Sequence, residues 1–253
     1  MLGFEAGPVR VRVARSGDGV LFGADAPDQE SAQAAIAQMR FALGVDDNLS
    51  EFHKLFSGDP VIGRSVKRRP HLRPHRRPRP WEALAWGVTE QLIEYVRAAA
   101  IQRRLVRRAG VSQSEWGLSD VPTPQAIVAL APAELVAFDL AASRASALRR
   151  VAAAVADGRV VFDMDAGGGS SESLMASLTR FPGIGTWTAE VTALHGLGDY
   201  SVVPAGDLGY MKAVGRQLSG GDPKAIAEEA EVREFFKPYE PWGGLAAMHL
   251  MAG

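Results

Sequence analysis

Apolar positions recur along this chain in two rhythms. From Val9 to Arg15 (VRVRVAR) apolar and charged residues alternate, and from Gly19 to Asp25 (GVLFGAD) β-formers cluster beyond a Ser-Gly-Asp-Gly turn. That period of two predicts a β-hairpin. Between Asp28 and Leu43 the period lengthens, with Ala32, Ile36, Met39 and Leu43 on one face, Asp28 placed to cap the start and Gly44 to stop the end. This predicts an amphipathic helix. Residues 1–62 therefore read as a small α+β lobe.

Beyond Trp81 the pattern is almost wholly helical. Trp81 to Arg108 reads as one long helix, Ala142 to Asp157 as an alanine-rich one, and Leu208 to Gln217 as another. Thr123-Pro124 and Asp222-Pro223 each set a capping side chain before a proline suited to a first helical position, while Gly158 and Gly220 stand where helices should end. Ser171 to Arg180 carries Leu174, Met175 and Leu178 on one face, and Thr186 to His195 carries Trp187, Val191 and Leu194. Only Phe-Pro-Gly-Ile-Gly separates these two. A last helix starts near Pro241 and Trp242. Residues 63–80 differ, because Pro70, Pro74, Pro78 and Pro80 remove donors and restrict the residues before them. They predict an extended connector, leaving 81–253 as a helical domain.

Composition narrows the chemistry. Of 253 residues, 47% are hydrophobic and 23% charged, which suits one large or two modest cores and excludes disorder and collagen. The absence of cysteine removes disulfides, zinc-thiolate sites, iron–sulfur clusters and thiol nucleophiles. The charged, glycine-containing N-terminus and the lack of any long apolar run point to a cytoplasmic protein without a membrane partner. The formal charge of −1 divides into +8 between Arg64 and Arg79 and −9 elsewhere. Such a basic connector is either a phosphate-contacting surface or a solvated loop. Arg97, Arg103, Arg104, Arg107 and Arg108 read as a solvated helix face. The five histidines show no metal-ligand spacing, and His195 and His249 read as packed or capping residues.

The informative stretch runs from Leu178 to Val214. Two short helices joined by Pro182-Gly183-Ile184-Gly185, with Thr186 opening the second, leave backbone amides of a tight turn pointing outward, as a phosphate oxygen requires. Alone, the pattern reads as an ordinary αα-hairpin with a tight corner. Asp207 follows in Pro204-x-x-Asp207, where by itself it reads as a helix N-cap.

Hairpin, spacing and aspartate together resemble the helix-hairpin-helix-GPD superfamily of DNA glycosylases, in particular the bacterial 3-methyladenine DNA glycosylase II (AlkA) type. Trp81 to Leu92 is similar to that family's first core helix, Leu140 to Gly158 to its middle, and Lys237 to Met251 to its closing Lys-Pro-Trp segment. The resemblance implies a mostly α, two-lobed glycosylase domain preceded by the α+β lobe. It also implies a monomer that acts on double-stranded DNA containing damaged bases and releases alkylated ones such as 3-methyladenine and 7-methylguanine. Asp207 would stabilise the sugar cation and activate water, and Gln91-Leu92 would form the wedge that enters the duplex. Leu92 otherwise reads as a buried helix leucine. Trp187, Val191 and Met251 would line the base pocket, Trp187 otherwise reading as core. The backbone carbonyls of Thr179, Phe181 and Ile184 would hold a structural Na⁺ or K⁺, with no other cofactor.

Two departures matter. Trp187 stands where strand-cutting relatives have a lysine, which implies base release without lyase activity. Val191 and Met251 stand where the family stacks a tyrosine and a tryptophan on the cationic base, so Trp86 or Tyr210 would have to replace contacts of about 0.5–2 kcal/mol each. The alternatives are a glycosylase for oxidised or deaminated bases, and a non-catalytic DNA-binding hairpin protein.

Overall fold

The computed structural model describes residues 1–17, 19–162 and 170–253. The expected N-terminal hairpin forms. β1 (Leu2–Phe4), β2 (Gly7–Ser16) and β3 (Gly19–Asp25) make an antiparallel sheet in that order, with Ser16 opposite Gly19 and Arg10 opposite Asp25. Asp18 of the expected turn lies outside the described residues. β1 was not foreseen, since three residues are too few to display alternation. α1 (Gln29–Leu43) packs on this sheet; Asp28 accepts from the Ser31 amide at 2.8 Å, and Gly44 closes the helix at φ 59°. Leu2, Val9 and Ala35 form the buried centre of this lobe.

The next two helices depart from the expected boundaries. α2 (Ser50–Phe56) and α3 (Gly63–Arg68) send Phe52 and Val66, with Ile62 between them, into a core shared with the C-terminal helices. The expected 1–62 lobe is therefore divided between two packing units, and the 63–80 connector opens as a helix before the prolines extend it. Its arginines also turn inward more than expected. Arg76 is almost wholly buried, paired with Asp47 at 2.7 Å and lying 4.9 Å from the ring centroids of both Phe41 and Tyr200. Arg73 also approaches Asp47, Arg79 pairs with the buried Asp120, and Arg77 lies 3.6 Å from Glu82. A buried guanidinium needs such partners. Only Arg64, Lys67, Arg68 and Arg69 of the basic run remain exposed.

The predicted 81–108 helix is two helices, α4 (Pro80–Glu90) and α5 (Tyr95–Ala109), parted at Leu92, whose φ is +53°. A short ribbon, β4 (Ser112–Gln113) with β5 (Leu118–Ser119), precedes α6 (Pro124–Ala129), α7 (Pro132–Ala137) and α8 (Ala142–Ala156). α9 (Ser171–Leu178) and α10 (Thr186–Thr192) follow, α10 running on as a π turn over Ala193–Leu197. α11 (Leu208–Leu218), α12 (Glu229–Phe236) and α13 (Gly243–Met251) complete the chain. Thr123 caps α6 as expected. Asp222-Pro223 opens no helix: Asp222 accepts from the Lys224 amide instead, and α12 starts at Glu229.

One core gathers Leu84 and Val88 of α4, Ile101 and Leu105 of α5, Leu148 and Val151 of α8, and Leu178 and Ile184 of the hairpin. The other gathers Phe52, Val66, Val214, Phe236 and Leu245. Each fully buried leucine contributes about 1.5–3 kcal/mol by leaving water. The α9–α10 turn is fixed against the first core at Gly183, where φ is +92° and a Cβ would fall 2.7 Å from that of Ala147.

Two predictions follow from this packing. Gly183→Ala should lower the unfolding free energy by about 1–3 kcal/mol in urea titration, whereas Gly185→Ala, whose Cβ would meet nothing within 4 Å, should change it far less. Burial holds the His249 imidazole down at about 4, helped by His53, Arg69 and Arg73. The unfolded chain then binds a proton near pH 6.5 that the folded chain refuses until about 4. Stability should fall as pH drops through that window, and His249→Leu should flatten the fall in unfolding titrations at pH 7, 6 and 5.

Candidate active site

Pro204 to Asp207 forms a tight turn closed by the Asp207 amide donating to the Pro204 carbonyl at 2.9 Å. The turn delivers Asp207 to the N-terminus of α11, where its Oδ1 accepts from the Gly209 amide at 2.7 Å and Oδ2 from Trp187 Nε1 at 3.3 Å. The capping reading of Asp207 is thus correct, and it coexists with a second position. The half-buried carboxylate also lines a half-open cavity of about 160 Å³ between the two cores. An apolar cavity of roughly 150 Å³ takes up benzene, so a flat ring entering from the open side fits the scale.

The cavity walls come from four places. α4 supplies Ala83, Trp86 and Glu90, α10 supplies Trp187 and Val191, the Pro204–Asp207 turn and Tyr210 supply the far side, and the connector and π turn add His75, Arg77 and His195. Trp187 and Val191 stand where the sequence placed them, and Trp86 and Tyr210 bring the aromatic surface that Val191 lacks. Met251 does not: it is half exposed and lies over Gly209 outside the cavity.

The polar groups of the cavity divide by environment. Burial pushes the Glu90 carboxyl above its ordinary range, with Asp207 pushing the same way and the Gln102 donor and Arg77 opposing. Burial lowers His195 to about 4, so it is neutral near pH 7. Its Nδ1–H donates to the His75 carbonyl at 3.0 Å, leaving Nε2 as an acceptor. Burial also raises the Tyr210 hydroxyl, with the Asp207 charge adding to it.

The presumed wedge separates into two functions. Leu92 is fully exposed at positive φ, a conformation that costs a non-glycine residue about 1–2 kcal/mol. Gln91 is not part of the tip. Its Nε2 donates to the Gly183 carbonyl at 3.0 Å and to Thr188 Oγ1 at 2.8 Å, while its carbonyl accepts from Arg144 at 2.8 Å. The residue thus ties the Leu92 loop to the hairpin. In the hairpin, Pro182, Gly183, Gly185 and Thr186 are exposed, and Ile184 is buried as the turn's anchor.

Sequence reasoning missed Glu90, Arg77, His75 and His195 as cavity groups. A signal existed for Glu90: Ala83, Trp86, Gly87 and Glu90 follow the i, i+3, i+4, i+7 spacing of one helix face, and a carboxylate on an otherwise apolar stripe is informative. Arg77 lies in a proline-rich stretch without period, so nothing in the pattern marks it. Among the described residues, no cluster of three or more histidine, aspartate or glutamate side chains could hold a metal ion. No described helix is long and apolar enough to cross a membrane.

No family model matches the chain. The DNA-3-methyladenine glycosylase 2 of Escherichia coli is 28% identical over 191 residues, spanning 75% of this chain and 63% of that protein. The chain thus spans less than two thirds of that relative's length. The DNA-3-methyladenine glycosylase 1 of Schizosaccharomyces pombe is 30% identical over 185 residues, covering 73% of this chain and 74% of that one. Among solved structures, the 3-methyladenine DNA glycosylase of Archaeoglobus fulgidus superposes with a TM-score of 0.82 at 22% identity, over 99% of this chain and 84% of its own. The fold, the glycine hairpin with its capping aspartate and the identity to the Schizosaccharomyces pombe protein place this chain in the 3-methyladenine DNA glycosylase family of the helix-hairpin-helix superfamily.

Proposed function

We propose that the protein is a monofunctional DNA glycosylase that extrudes an alkylated base from duplex DNA and hydrolyses its N-glycosidic bond. The observation that carries this reading is the position of Asp207, in the wall of a cavity flanked by the exposed Leu92 and the exposed hairpin. A base within a duplex is out of reach of any side chain, so it must leave the stack. Leu92 is the apolar side chain that fills the space left behind. Gly183 is required by the protein's own packing, but Gly185 is not, since open space surrounds its missing side chain. Close approach of a phosphate explains the second glycine, with the outward amides of the turn as donors.

In the cavity, Trp86, Trp187 and Tyr210 provide flat or apolar surface for the extruded base. A base alkylated on a ring nitrogen is already positive and departs as a neutral molecule. The remaining task is to stabilise the sugar cation and supply water, which one carboxylate performs by charge and by accepting the water proton. The Gly209 amide and Trp187 indole aim that carboxylate. No lysine lines the described cavity, so no amine stands ready to form a Schiff base with the opened sugar. The carbonyls of Thr179 and Ile184 receive no hydrogen bond among the described residues, and the Phe181 carbonyl receives only the Ile184 amide. These oxygens fit a monovalent cation, which would stiffen the turn that grips phosphate.

Incubated with methylated duplex DNA, the protein should release 3-methyladenine and 7-methylguanine, identified by chromatography, without cutting the strand. Asp207→Asn should lower release by about 10²-fold or more while duplex affinity stays within a few-fold. Leu92→Ala should slow release about tenfold through a less favourable extrusion step, the price of unstacking being a few kcal/mol. Release of uracil or 8-oxoguanine alone would assign the cavity to deaminated or oxidised bases, and no release from any lesion would leave a DNA-binding role only.

A further inference from the structure

The cavity holds a carboxyl that the reaction above does not use. Glu90 is the last residue of α4, so it sits at the negative end of that helix, whereas Asp207 caps the positive end of α11. Gln102 Nε2 donates to Glu90 Oε1 at 2.9 Å and to Thr89 Oγ1 at 3.0 Å, which fixes the side chain from behind. The second oxygen is left to whatever the cavity contains. A carboxyl at the C-terminal end of one helix, facing across the same cavity a carboxylate that caps the N-terminus of another, is placed to act as an acid beside a base.

An uncharged purine is a far poorer leaving group than an alkylated one, because it departs as an anion unless a ring nitrogen takes a proton. Resting on the glycosylase reading, we propose that Glu90 is a second catalytic residue, a general acid that protonates the departing ring system when the base in the cavity is an uncharged purine. In this step the C1′–N9 bond breaks and its electron pair goes to the base. The Glu90 proton passes to a purine ring nitrogen, the water oxygen bonds to C1′, and the water proton goes to Asp207. Solvent returns a proton to Glu90 and removes one from Asp207, so the products are the free base and an abasic sugar.

The groups around Glu90 are consistent with that assignment. Asp207 faces it across the cavity and disfavours a second negative charge, and burial does so more strongly. Arg77 from the connector and the Gln102 donor from α5 act in the other direction. His195 in the π turn is neutral, His75 contributes its carbonyl to His195, and Arg144 of α8 is spent on the Gln91 carbonyl. The net direction is towards the protonated acid, and Arg77 disfavours a base that arrives already positive. An acid acts only while protonated, so release of an uncharged base should decline as pH rises through the Glu90 titration.

The test uses the whole protein in single turnover on two duplexes, one carrying hypoxanthine and one carrying 7-methylguanine, across a range of pH. Glu90→Gln should lower hypoxanthine release by about 10²–10⁴-fold, at least tenfold more than it lowers 7-methylguanine release. It should also abolish the decline of hypoxanthine release at higher pH. Equal losses on both duplexes, or no loss on either, would overturn the assignment, as would a wild type that releases 7-methylguanine but no hypoxanthine. The 7-methylguanine duplex reports separately on folding and on the glycosylase reading: if wild type releases neither base, that reading itself fails. If Asp207→Asn retained hypoxanthine release, the pairing of the two carboxyls would be refuted.

Discussion

The amide of Gln91 joins the three parts of the site. Its two donors reach the Gly183 carbonyl and the Thr188 hydroxyl, so the end of α4, the hairpin turn and the first turn of α10 are held in one geometry. The strained φ of Leu92 persists because this clamp, with Arg144 on the Gln91 carbonyl, leaves the loop little alternative. Strain of this kind survives only where the surroundings over-determine it. A protruding apolar residue at a set distance from the glycine turn is the outcome, and it depends on one side chain satisfying two acceptors.

The same helix end also shapes the cavity. α4 and α10 approach closely at Gly87, where a side chain would press on Thr188 and Val191. That approach brings Trp86 and Glu90 opposite Trp187 and Asp207. Because α4 ends at this wall and α11 begins there, the two carboxyls meet helix poles of opposite sign, and the cavity is electrostatically asymmetric before any substrate enters. The arginines of the connector serve this geometry indirectly. Arg76 and Asp47 lock the connector to the loop after α1, and Arg79 locks it to Asp120. Arg77 and His75 are thereby delivered to the cavity rim. Half of a run of charge that reads as a nucleic-acid surface is an internal brace, and its exposed half is Arg64, Lys67, Arg68 and Arg69.

Much of the local structure was legible. The β2–β3 hairpin, the Asp28 and Thr123 caps, the Gly44 stop, and the hairpin between α9 and α10 each rest on interactions within a few residues, which sequence spacing encodes directly. Asp207, Trp187 and Val191 were grouped only through the family resemblance that the hairpin and Pro204-x-x-Asp207 carry, and the structure brings all three to one cavity. The failures have a common cause. Met251 was assigned to the cavity through the resemblance alone, and the structure leaves it half exposed over Gly209. The 81–108 helix was read as continuous because Gln91 and Leu92 are good helix formers, and only the distant acceptors on the hairpin favour the break.

By itself, the sequence determined that this chain forms a β-hairpin lobe, a series of capped helices and a glycine turn followed by a capping aspartate, since those features arise from neighbours along the backbone. Tertiary structure alone decided that α2 and α3 join the C-terminal core, that Arg76 turns inward, and that Glu90, Arg77 and His195 share a cavity with Asp207. These choices depend on burial and charge pairing between residues far apart in the chain. A side chain's desolvation and its partners exist only once the two cores have closed against each other.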